Sequence, residues 1–93
     1  MKKSDLKTGW KRQEYTDRQK EIFKALKILG FNWIAEDEGG CIFVYENKPT
    51  KDLEFDIWDD ESGTHLEIYI DRIMNHLDFI DWEDEEPFEI PTL

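Results

Sequence analysis

Ninety-three residues is the length of one domain, and this chain carries 23 Asp/Glu against 12 Lys/Arg, a formal net charge of −11. That balance opposes nucleic acid and anionic lipid and favours cationic partners. Four Trp, six Phe and three Tyr argue against disorder, and a single cysteine excludes an intrachain disulfide and fits a reducing, intracellular setting.

The charges are sorted along the chain. Residues 1–30 hold nine Lys/Arg and four Asp/Glu, whereas residues 31–93 hold three and nineteen. Residues 1–14 read as a basic lead-in arm, with Lys2, Lys3, Lys7, Lys11 and Arg12 and only Leu6 and Trp10 as apolar anchors. No apolar stretch follows Lys2 and Lys3, so no signal peptide is expected. No run approaches the ~20 apolar residues of a membrane span, and no membrane contact is expected.

A single α+β domain is expected over residues 15–82. Thr16 and Gln19 fit a capping box, Ile22, Phe23, Leu26 and Leu29 recur on one helical face, and Gly30 is a stop signal, so a helix is predicted over 17–29. Strands follow at Phe31–Ala35 and Cys41–Glu46, the latter apolar throughout and so central, with Cys41 expected as a small buried hydrophobe. Leu53, Phe55 and Ile57 alternate with Glu54 and Asp56, which predicts a third strand with one acidic face. Leu66, Ile68 and Ile70 alternate with His65, Glu67 and Tyr69 in a fourth. A short helical turn is predicted over Asp71–Leu77 with Ile70, Ile73 and Leu77 inward, and a short strand over Phe79–Trp82. Pro87 and Pro91 then argue against regular structure, leaving residues 83–93 as an acidic tail.

The architecture expected is one N-terminal helix packed on an antiparallel sheet of three to five strands. Its core should draw on Phe23, Leu26, Leu29, Phe43, Phe55, Ile57, Leu66, Ile68 and Ile70.

Chemistry is sparse. No glycine-rich phosphate loop and no nucleophile in a recognisable setting occurs, so no catalytic residue and no enzyme is expected. Neither acidic stretch, Asp56–Gly63 nor Asp78–Glu89, meets the register of a Ca²⁺ loop, and two histidines with one cysteine make a poor zinc set. No metal and no cofactor is expected, and His65 and His76 read as ordinary histidines. Lys20, Lys24 and Lys27 could touch phosphates, but the acidic remainder opposes that approach. The basic arm and helix are expected instead to lie against acidic strands, with no direct nucleic-acid binding.

The acidic surface points to a protein partner. Carboxylates two apart on a strand are ~6.6–6.8 Å apart, so Glu54 and Asp56, with Asp59, Asp60, Glu61, Asp81, Glu83, Asp84, Glu85 and Glu86, could present phosphate-like charge to a basic groove. Trp82 is expected as the apolar anchor among them. A solvated acidic face or a non-inhibitory adaptor are the alternatives.

The segments Phe31–Gly40 (FNWIAEDEGG), Val44–Pro49 (VYENKP) and Trp82–Pro87 (WEDEEP) resemble small acidic proteins of phages and prophages of Gram-positive bacteria. That resemblance implies a bacterial host cytoplasm and an anti-CRISPR or other anti-defence role. The expected partner is then the basic groove of a host nuclease or another nucleic-acid-binding protein. It transfers no catalytic residues and leaves the oligomeric state open.

Overall fold

The computed structural model describes residues 14–60 and 63–93. The basic arm, apart from Glu14, and the candidate Glu61 lie outside the described residues. Helix α1 spans Asp17–Ile28 and begins with the predicted capping box. The Thr16 hydroxyl accepts from Gln19 N–H at 3.1 Å, and the Gln19 side chain accepts from Thr16 N–H at 2.9 Å. Two orphan donors of the first turn are thereby satisfied. Gly30 takes the left-handed conformation (φ 96°). Its N–H donates to Lys27 O and that of Phe31 to Leu26 O, a Schellman closure.

Strands β1 (Trp33–Glu36), β2 (Ile42–Tyr45), β5 (His65–Ile68) and β6 (Phe88–Glu89) form one antiparallel sheet in the order β5-β2-β1-β6. Strands β3 (Thr50–Asp52) and β4 (Ile57–Asp59) form a separate two-stranded hairpin, and α2 is a single turn over Asp71–Met74. The fold is therefore α+β.

The sheet is covered on both faces, which is why β2 is apolar throughout. On one face Phe23 and Leu26 of α1 meet Ile34, Ile42, Val44, Ile68 and Phe88, with Leu77, Ile80 and Ile90 closing the sides. On the other, Trp58 of the hairpin buries Ala35 and Tyr45, with Trp33, Phe43 and Trp82 around it. The Tyr45 hydroxyl donates to the Trp58 carbonyl at 3.3 Å. Burial first, then the nearby carboxylates of Asp37, Asp60 and Asp59, push its phenol well above the ordinary value.

The expected strand through Leu53, Phe55 and Ile57 is instead a turn between β3 and β4. Asp52 Oδ1 accepts from the N–H groups of Glu54 (2.9 Å) and Phe55 (3.3 Å), and Asp56 lies at φ 58°. A side-chain-capped turn needs neither Gly nor Pro, so alternation alone misreads it. Phe55 is accordingly exposed rather than core.

Leu29, Leu66 and Ile70 are also exposed, against expectation. Leu29 is the helix C-cap, Leu66 sits on the edge strand β5, and Ile70 precedes α2. Phe23, Leu26 and Ile68 are buried as expected, while Phe43 and Ile57 are half-buried. Cys41 is exposed just ahead of β2. Loss of solvent around its sulfur, then Glu67 and Asp37, raise its thiol above the usual value, which disfavours the thiolate.

Residues 79–82 lie in turns and irregular backbone and not in the expected strand. The expected acidic tail is not a tail. Pro87 is buried, and Phe88 pairs with Ile34 and Glu89 with Trp33 in β6. The Ile90 N–H donates to Asn32 O at 2.8 Å. The two prolines bracket a short edge strand rather than interrupt one, a position where a missing donor costs little.

Candidate protein-interaction face

The acidic loop 81–87 is fastened to the hairpin chiefly through Lys51. Lys51 of β3 donates through Nζ to the carbonyl oxygens of Trp82 and Asp84. The same ammonium lies 4.4 Å from the Trp82 ring centroid and 5.1 Å from that of Trp58. The two indoles meet edge to face, 6.3 Å apart. An ammonium between two indole faces is held by the ring quadrupoles as well as by its hydrogen bonds. Lys48 adds an ion pair with Glu86 at 2.9 Å.

The carboxylates of the loop serve it internally as well. Asp84 is only 6% exposed, and its Oδ2 accepts from Asp81 N–H at 3.0 Å. Asp81 Oδ1 accepts from Glu83 N–H at 3.2 Å. Glu36 of β1 accepts from Trp82 N–H through Oε1, also at 3.2 Å. Asp37, next in the chain, accepts from Trp58 N–H at 2.9 Å. Partial burial raises the Asp37 carboxyl above its usual range, the Trp58 bond opposes this, and Glu67 adds to it.

The expected carboxylates within the described residues thus divide into three groups. Glu54, Asp56, Asp59, Glu83, Glu85 and Glu86 are exposed, Asp60 and Asp81 are half-buried, and Asp84 is buried. Glu54 and Asp56 lie in the hairpin tip, not on a strand, so the regular strand spacing expected for them does not apply. Trp82, expected to project as an anchor, is half-buried with its ring engaged by Trp58 and Lys51. The structure nevertheless joins the two stretches, far apart in sequence, as one unit of hairpin and loop.

Sequence reasoning gave Lys48 and Lys51 no role, and it placed Leu53 and Phe55 on a strand. The two lysines could have been noticed from scarcity, since only three Lys/Arg occur after residue 30. On the opposite side, Lys20 and Lys24 of α1 are exposed, and Lys27 donates to Asn32 Oδ1 at 2.9 Å. Among the described residues Arg18 of α1 pairs with Glu21 within the helix rather than with an acidic strand.

His65 is exposed beside Phe43 and Tyr45, and His76 is half-buried with its carbonyl accepting from Gln19 Nε2 at 2.9 Å. Among the described residues no group of three His, Cys, Asp or Glu is placed to hold a metal ion, and no helix is long and apolar enough to cross a membrane. Comparisons with family models, with curated proteins and with solved structures find no match.

Proposed function

We propose that this chain is a phage-encoded inhibitor that binds the basic groove of a nucleic-acid-binding protein of its bacterial host, with a defence nuclease as the target class. Its hairpin and acidic loop would carry the charge that nucleic acid brings. The observation supporting this is that the hairpin and the loop, which Lys51 fastens together, both expose carboxylates: Glu54 and Asp56 at the hairpin tip, Asp59 on β4, and Glu83, Glu85 and Glu86 on the loop. A groove built for a heteroduplex is positively charged along its length and is a receptor for such a surface.

The test is capture from a bacterial lysate on immobilised protein, followed by competition with the captured protein's own nucleic acid. Binding should weaken as ionic strength rises, because exposed charges are screened over ~8–10 Å at physiological salt. Reversal of Asp59, Glu83 and Glu85 to lysine should abolish inhibition with the fold intact, since all three side chains are exposed. Asp81 and Asp84 are poor choices for reversal because they hold the loop's own N–H groups. A partner that accepts this chain and its nucleic acid together overturns the mimicry and leaves a non-inhibitory adaptor.

A further inference from the structure

Two large apolar side chains stand at the tip of the β3–β4 hairpin with no role in either core cluster. Leu53 is 74% exposed and Phe55 is 67% exposed. A four-residue turn has no packing use for Leu and Phe, and Asn, Gly or Ser would close it as well with better solubility. The tip backbone is fixed. Asp52 holds the N–H groups of Glu54 and Phe55, and the Asp56 carbonyl accepts from Glu38 N–H at 3.2 Å in the neighbouring turn. Glu54 and Asp56 flank Phe55, both exposed, and among the described residues no ion pair holds either.

We infer that Leu53 and Phe55 are the apolar anchor by which this chain seats in its partner, entering an apolar pocket rimmed by Arg or Lys. The inference rests on the reading above and assigns the anchor to the tip in place of Trp82. Charge complementarity selects the partner's chemistry, because the carboxylates beside the apolar pair favour a cationic rim and oppose an acidic one. A pre-set turn also spares the entropy of ordering a loop on binding.

The experiment compares two variants against the partner captured from lysate: Leu53→Ser with Phe55→Ser, and the Asp59, Glu83 and Glu85 reversal, which leaves the tip intact. A photo-crosslinking benzoylphenylalanine is placed at position 55 and, as control, at the exposed position 78. The serine variant should melt as the wild type does and bind ~10–100-fold more weakly, the usual loss when an interface anchor is truncated. The adduct from position 55, and not from 78, should map to a partner segment containing Lys or Arg.

Full-affinity binding by the serine variant, with loss on charge reversal, overturns the anchor and keeps the mimicry. Loss by the serine variant, in a complex that still admits nucleic acid, keeps the anchor and overturns the mimicry. An adduct to a second copy of this chain, or no protein retained at all, overturns the anchor.

Discussion

Asp37 shows how one carboxylate holds two layers together at a cost. Its Oδ1 staples β4 to the end of β1 through Trp58 N–H, yet partial burial and Glu67 disfavour its ionised form. A carboxyl raised in the folded state contributes stability that is fully present below its ordinary pKa and lost as pH rises through the folded value. Asp37→Asn keeps an oxygen to accept from Trp58 and removes the charge. The variant is therefore expected to melt at or above the wild-type temperature at pH 7, with the difference closing below about pH 4, where the aspartate is protonated. Thermal melts at the two pH values check this, and an asparagine variant less stable than the wild type at pH 7 but equal to it below about pH 4 would show that the charge itself is needed.

At the level of elements, the helix separates what periodicity reveals from what it cannot. Phe23 and Leu26 lie on the predicted face and are buried, whereas Leu29 has the right spacing but falls on the C-cap and is 68% exposed. Leu26→Ala should cost about 2–5 kcal/mol, and Leu29→Ala less than about 0.5 kcal/mol, as read by chemical denaturation. Equal losses would mean that the helix packs further along its length. The helix, the central strand β2 and the chain's α+β class were legible because each rests on local signals: a cap, a glycine stop, an unbroken apolar run. The β3–β4 hairpin was not, because its turn is closed by the Asp52 side chain while its sequence alternates like a strand. For the candidate face, composition correctly marked which segments are acidic. It could not tell Asp84, turned inward onto a backbone N–H, from Glu83 and Glu85 beside it.

For the whole molecule, the segment read as a loose acidic end completes the principal core. Phe88 touches the rings of Tyr15, Phe23 and Phe79 at centroid distances of 6.1, 5.4 and 5.0 Å, and Ile90 is 1% exposed. Phe88→Ala should therefore cost about 3–5 kcal/mol, a large fraction of what a small domain has, and a chain ended after Pro87 should lack a cooperative melt. A truncated chain that still melts sharply would return residues 88–93 to the status of an appendage. The sheet order has a further consequence, in time rather than in space. Strand β1 is made early, but its outer neighbour β6 comes near the end of the sequence. At roughly 5–20 residues per second, the ribosome needs on the order of several seconds between Ile34 and Phe88. Throughout that interval the edge of β1 that β6 later pairs has no strand beside it, the condition in which an unpaired strand edge is open to association with other chains.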